Sequence, residues 1–377
     1  MEVTRDQVMA FRAAAHGLGD ASVPPVDPLE LRVLDVGVQD TGADGARWAL
    51  ALRGADPGPD LDPDHLVLAW TLRGAPHVYR RADVAAVAAA VAPYDEGDAS
   101  KRIVDAGRPL RAAGLTVREG LAVVASTMRE IVTGPTVKGD LSRELSARLP
   151  APYLRECRPC QAVHTYEQPF RLAALQAGLE LEPGTSPPVV RRVPGWAGPA
   201  AEVPARLDAV RAVLRVNGPM TPAHVAGYLD GTLAATKAHA AGLGDLVDVT
   251  LPDDPAGPRA VRWLAEADQA LLADPPTPRG VRLLGPFDPF LQSKDRALLL
   301  PDEAARTELW RTLGRPGAIW YDGELVGSWR PRTSGRRLRL AVATWSGDAP
   351  AGALARGVEA AAETLAGVRG QTYDGLA

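Results

Sequence analysis

Two stretches of this chain carry the same punctuation. "IVTGPTVKGDLSREL" (131–145) and "RVNGPMTPAHVAGYL" (215–229) each run from the end of a long amphipathic helix through Gly-Pro into a short helix. The two glycines, Gly134 and Gly218, stand 84 positions apart. A glycine suits a left-handed helix end, and the following proline stops the helix from continuing. Thr136 and Thr221 are then placed to cap the next helix. Long helix, sharp turn, short helix is helix-turn-helix connectivity, and an internal repeat makes a tandem arrangement the simplest reading. The second copy continues with a helix at 232–242, a strand at 245–251, a turn-rich loop and a strand at 259–264, which together predict a wing.

The same grammar extends to both sides. Apolar periodicity predicts helices over 4–16, 29–36, 43–53 and 82–92, with Asp27-Pro28 starting the second. Between them, residues 66–72 and 77–80 read as strands joined by Arg73-Gly74-Ala75-Pro76. After residue 275 the texture becomes β: "AIWYDGELVGSWR" carries the Asp-Gly hairpin signal. "SWRPRTSGRRLRLAVATW" predicts a second hairpin with its tip at Thr333-Ser334-Gly335, and an Ala-rich helix at 351–368 closes the chain. The expected architecture is mostly α with β (α+β): three tandem winged-helix units followed by a C-terminal β-barrel-like domain. The expected boundaries are 1–115, 116–202, 203–275 and 276–377.

Composition narrows the functional classes. The 377 residues are 46% hydrophobic and 23% charged, an ordinary globular mixture. Net charge is −4, so nucleic-acid binding would need a local basic face rather than an overall basic chain. Only four of the 42 Lys and Arg residues are lysine. That skew, together with much Ala, Gly and Pro, fits GC-rich coding and is weak support for DNA binding by itself. We read no transmembrane run and no signal-peptide core at the N-terminus. The two cysteines do not suggest a secreted disulfide scaffold. The expectation is a cytoplasmic, nucleoid-associated monomer without membrane contact. P-loop, dinucleotide and HExxH patterns are absent, and no cofactor is expected.

Seven stretches in this order resemble the winged-helix family that includes the AlkZ and YcaQ DNA glycosylases. They are "GVQDTGADGARWALALR", "WTLRGAPHVY", "TGPTVKGDLSREL", "ECRPCQAVHT", "NGPMTPAHVAGYL", "LLGPFDPFLQSKDRALL" and "DGELVGSWR". The resemblance spans nearly the whole chain. It implies three winged helices and a β-barrel-like domain arranged around double-stranded DNA, and excision of alkylated purines, including crosslinked ones. The family's catalytic signature is glutamine, an apolar residue, then glutamine or aspartate. Aligned on Arg53, Gln39 takes the first position, with Asp40 and Thr41 following where an apolar residue and a second Gln or Asp are usual. In the other register, Gly37-Val38-Gln39 keeps the apolar middle and the second glutamine but has glycine first.

The chemistry fits such a cluster. An N-alkylated purine is cationic and already a good leaving group, so the need is a positioned water and stabilisation of an oxocarbenium-like sugar. Gln39 would orient the water and Asp40 would accept its proton. The plainer reading is that Asp40 or Thr41 caps the helix starting near 42. For DNA contact, the candidates are Arg332, Arg336 and Arg337 on an arginine-rich, acid-free hairpin. Lys138 and Arg143 sit on the second repeat's recognition helix. The corresponding helix of the third repeat, "TPAHVAGYL", is nearly uncharged and should pack against protein. The alternative for the hairpin is an edge kept charged against strand pairing.

Further cleft candidates are His77, more readily a wing-base residue, and Asp288 and Arg296, read as a pair at a domain seam. Cys157, Cys160 and His164 supply too few ligands for a zinc site, so no metal is assigned. Two functional classes stay open beside excision: a DNA- or lesion-binding protein of the same fold without catalysis, and a small-molecule or protein-binding module.

Overall fold

The computed structural model describes residues 1–19, 27–42, 45–159 and 161–377. The fold is mixed α and β, and its chain divides into two compact units. One comprises Met1–Pro59, Val213–His224 and Asp245–Ala377; the other comprises Asp60–Ala212 and Val225–Gly244.

In the first unit the helix Arg5–Ala15 begins on a reciprocal cap, in which Thr4 accepts from the Gln7 N–H and Gln7 reaches back to Thr4. Its apolar side, Val8, Phe11 and Ala15, packs with Val249, Leu251, Leu264 and Leu272 in one cluster. The expected helix over 29–36 is broken. Asp27 caps a 3₁₀ turn, Pro28–Glu30, and a four-residue helix Val33–Val36 follows. The next helix runs Gly45–Ala51; residues 43 and 44 of the expected 43–53 helix lie outside the described residues. The strands Leu246–Val249 and Arg262–Ala265 pair antiparallel, as the wing pattern predicts.

The C-terminal sheet in the same unit is an open half-barrel of five strands. Its order is Val281–Leu284, Gly317–Tyr321, Glu324–Ser334, Arg337–Thr344 and Thr372–Leu376. The turn at Asp322-Gly323 takes φ of 46° and 98°, the doubly positive geometry that favours Asp-Gly in two-residue hairpins. The second hairpin pairs Ser334 with Arg337, so its tip is Gly335-Arg336, one residue beyond the expected one. The helix Gly352–Val368 lays Val358, Ala362, Leu365 and Ala366 on Leu283, Leu338 and Leu340.

In the second unit five antiparallel strands lie in the order Pro76–Arg80, Leu66–Trp70, Leu179–Leu181, Val189–Arg192, Thr136–Val137. The helix Val117–Ile131 starts on a Thr116–Glu119 capping box. The first Gly-Pro turn differs from expectation. Neither Gly134 nor Gly218 has a positive φ. Thr136 forms the edge strand with Val190 rather than capping the helix Lys138–Arg148. Thr221 does cap, accepting from the His224 N–H at 3.2 Å. Gly218 is demanded by space, since a Cβ there would lie 2.4 Å from the Leu214 carbonyl oxygen. A hairpin that the sequence pattern does not foretell joins Leu154–Cys157 to Ala162–Thr165.

Candidate functional site

The stretch around Gln39 is built on a two-residue strand, Val38–Gln39, entered through Gly37 at φ 82°. Val38 is fully buried and Gln39 nearly so, which fixes the backbone that presents the polar residues. Gln39 Nε2 donates to Thr41 Oγ1 at 2.9 Å. Asp40 Oδ1 accepts from the Ala46 N–H at 3.0 Å, at the start of the helix Gly45–Ala51. Asp40 and Thr41 are half-buried. The turn is tight: a Cβ at Gly45 would come 3.3 Å from the Gln39 carbonyl oxygen. Gln39 and Thr41 are therefore bonded to each other, while Asp40 is tied to the start of the helix Gly45–Ala51 and has the geometry of a helix-start cap.

Behind this group, Arg53 fixes the far end of the same stretch. Its guanidinium makes a fork-to-fork pair with Asp288 at 2.8 Å for both bonds, and both side chains are wholly buried. It also donates to the His16 and Ala49 carbonyls. Asp288 meanwhile accepts from the Phe290 N–H. The expected Asp288–Arg296 pair is thus replaced by Asp288–Arg53. Arg296 instead lies over the Trp310 ring, 5.1 Å from its centroid. Arg53 stands fourteen positions after Gln39 in one stretch, and that is the signal in the sequence for its role. His16, which no sequence motif singles out, is buried edge-on to Phe290 at 5.2 Å. Burial and then Arg53 push its pKa well below the usual histidine value, so it is neutral at pH 7.

A second buried ion network, also unforeseen, holds this unit together. Asp295 accepts from Arg12 at 2.9 Å and from Arg262 at 2.6 Å, and Arg262 is gripped further by Asp254. Burial pushes the Asp295 carboxyl up, but Arg12 and Arg262 pull it down further, leaving it below the usual carboxylate range.

The arginine-rich hairpin is exposed where expected. Leu338 and Leu340 are buried, so the alternate residues Arg337 and Arg339 point to the other face. Arg332 is paired directly opposite Arg339, and Arg337 opposite Ser334. Arg332, Arg336, Arg337 and Arg339 are all exposed. No acidic residue occurs between Leu325 and Gly347. Directly opposed like charges destabilise a ribbon; Arg336 and Arg339 donate to the Gly370 and Leu376 carbonyls.

The second unit carries the remaining candidates. His77 is buried on the strand Pro76–Arg80, with Nδ1 2.9 Å from the Ala75 carbonyl oxygen and 2.9 Å from Thr71 Oγ1. Thr71 Oγ1 also meets Tyr79 OH at 2.9 Å. Burial and the nearby Arg73 lower the His77 pKa to about 3, so the ring is neutral and its Nδ1–H is assigned to the carbonyl. Lys138 is half-buried, bonded to Glu167 and 5.5 Å from the Phe170 ring centroid. Arg143 is exposed and pairs with Asp140 one turn earlier. Cys157 and His164 sit on the unforeseen hairpin, where His164 is opposite Arg155 rather than Cys157; Cys160 lies outside the described residues. Among the described residues no group of three metal-binding side chains converges.

A family model, "DNA glycosylase AlkZ-like", matches residues 33–368. The chain belongs to the AlkZ-like DNA glycosylase family. A DNA glycosylase-like role follows from that membership. The solved structure of Streptomyces sahachiroi DNA glycosylase AlkZ is similar over 100% of both chains, with a TM-score of 0.72 at 19% sequence identity. That likeness is one of fold. No curated protein sequence matches the chain. Among the described residues no helix is long and apolar enough to cross a membrane.

Proposed function

We propose that this AlkZ-like chain hydrolyses the N-glycosidic bond of alkylated purines in double-stranded DNA, crosslinked purines included. The observation that carries the reading is the arginine-rich hairpin, acid-free over 325–344, with Arg332 set against Arg339. Arg332, Arg336 and Arg337 clasp phosphates there, and Arg143 adds a contact from the helix Lys138–Arg148. Lys138, held by Glu167, positions that helix. In this reading the stretches 1–115, 116–202 and 203–275 act as winged-helix units and 276–377 supplies the hairpin. The protein works as a cytoplasmic monomer at the nucleoid.

The chemistry needs only this chain and water. The C1′–N bond breaks with its electron pair passing to the cationic purine, which leaves neutral. A water oxygen bonds to C1′ of the oxocarbenium-like sugar and gives its proton to Asp40. The Oε1 of Gln39, which accepts no hydrogen bond among the described residues, orients that water. Thr41 holds the Gln39 amide by its Nε2. Asp288 serves through Arg53, which anchors the helix behind the cluster.

The cap geometry of Asp40 favours a second reading: the same DNA-binding surface without excision. The two separate in one experiment. Duplex DNA carrying a single N7-alkylguanine is incubated with the protein and scored for abasic sites against a protein-free control. Excess abasic sites that disappear in Gln39→Ala establish excision. Binding of the duplex with no excess establishes the second reading and removes the first.

A further inference from the structure

A cavity of about 610 Å³ opens in the first unit, at the foot of the "SKDR" motif. Neither Gln39, Asp40 nor the arginine hairpin lines it. Its wall instead brings together Lys294, Arg296, Arg306, Arg311, His224 and Trp310. Two carboxylates also face it. Asp295 is committed to the buried Arg12 and Arg262, and Glu303 sits at the exposed start of the helix Glu303–Leu309. The wall is therefore cationic in balance.

Several of its groups are set and not yet satisfied. Arg296 lies over the Trp310 ring, and its Nε is buried without a hydrogen-bond partner among the described residues. His224 Nδ1 is likewise unsatisfied, 3.6 Å from Asp295 Oδ1 and beyond hydrogen-bond range. Arg306 is aimed by the Leu300 and Pro301 carbonyls. Arg311 is exposed at the rim. Burial, then the neighbouring Arg315, push the Arg296 guanidinium's pKa down. A concentration of partly buried arginines costs stability unless an anion offsets it.

We propose that this cavity binds a phosphate group carried on a ligand of about mononucleotide size. Arg296 and Arg311 grip the phosphate with charge-assisted hydrogen bonds, Lys294 and Arg306 supply field, and His224 donates a further bond. Pockets of this volume typically hold small ligands. The same chemistry is offered by a free nucleoside monophosphate and by the terminal 5′-phosphate of a DNA strand. The proposal stands whether or not the chain excises bases, because no residue of the Gln39 group takes part.

The test is equilibrium titration of the full chain at constant ionic strength with inorganic phosphate, a deoxynucleoside 5′-monophosphate, and a short oligonucleotide with 5′-phosphate or 5′-hydroxyl. Saturable binding of phosphate or the monophosphate is expected. It should weaken roughly tenfold in Arg311→Gln, which removes one charge-assisted bond at an exposed position that folding does not need. Arg296→Gln should weaken it at least as much. Preference for the 5′-phosphorylated oligonucleotide over its hydroxyl twin identifies the strand end as source; binding of the monophosphate alone identifies the free nucleotide. No saturable binding of any phosphate probe, or binding by both variants equal to that of the unmodified chain, overturns the proposal.

Discussion

The Asp40 carboxylate accepts the Ala46 N–H at 3.0 Å, and a side chain in that position answers two substitutions differently. Asparagine caps a helix about as well as aspartate, so Asp40→Asn should leave the melting temperature almost unchanged. Alanine removes the acceptor and should cost about 1 kcal/mol. If Asp40 also takes the proton of the attacking water, Asp40→Asn should lower excision by about 10²-fold while folding stays intact. Undiminished excision in the Asn variant would confine Asp40 to the cap. At this scale the sequence shows the residues but not their partners. The plain reading of Asp40 as a cap matches its hydrogen bond, because capping is local. The expected Asp288–Arg296 pairing fails because closeness along the chain says less than a fork that crosses from residue 53 to 288.

Elements follow the same division between local and long-range causes. Helices that begin on Thr4 and Thr232 are legible because their caps lie within four residues of the first turn. The strands 179–181 and 189–192 are not, because Leu179–Leu181 is held by pairing with Leu66–Trp70 more than a hundred positions away, and Val189–Arg192 pairs in turn with Leu179–Leu181. The strand pair Leu66–Trp70 and Pro76–Arg80, which carries His77, should be acid-sensitive. His77 has a folded pKa of about 3 against about 6.5 unfolded, so the unfolded state takes up the proton first. The stabilisation is complete above about pH 6.5 and is lost as pH falls towards 3, of order a few kcal/mol. The protection factors for hydrogen exchange of Leu66–Arg80, taken against the intrinsic rate at each pH, should fall through that window, and His77→Gln should flatten the dependence. An unchanged pH slope in the variant would place the acid-labile group elsewhere. The arginine hairpin makes a separate prediction. Changing Arg332, Arg336 and Arg337 together to Ala should weaken duplex binding at low salt. The slope of log K against log salt should fall by about 0.9 for each phosphate that is no longer neutralised. Equal slopes for both proteins would make the hairpin a solubilising edge.

For the molecule as a whole, the net charge of −4 and the cationic ribbon are compatible because the charge is segregated, which composition cannot reveal. The same holds for connectivity: the repeat gives local units in sequence, yet one compact unit gathers segments from residues 1–59, 213–224 and 245–377. Asp295 joins all three. It binds Arg12 from the first and Arg262 from the third, and Arg12 also donates to the Gly218 and Pro219 carbonyls of the second. Removing the carboxylate leaves Arg262 its other partner, Asp254, but leaves Arg12 buried with carbonyls alone. Breaking a buried pair in this way costs about 3–5 kcal/mol. Asp295→Ala should therefore destabilise this unit selectively. Amide protection should fall in Arg5–Ala15 and Arg262–Ala265 while that of Leu66–Trp70 is retained, and denaturation should split into two transitions. The double variant Arg12→Met with Asp295→Leu should recover much of the stability, because replacing both ions removes the unpaired charge that the single change creates. A uniform drop in protection along the chain would show that the two units unfold as one. Failure of the double variant to recover would show that packing around Asp295, rather than its charge, holds the three segments together.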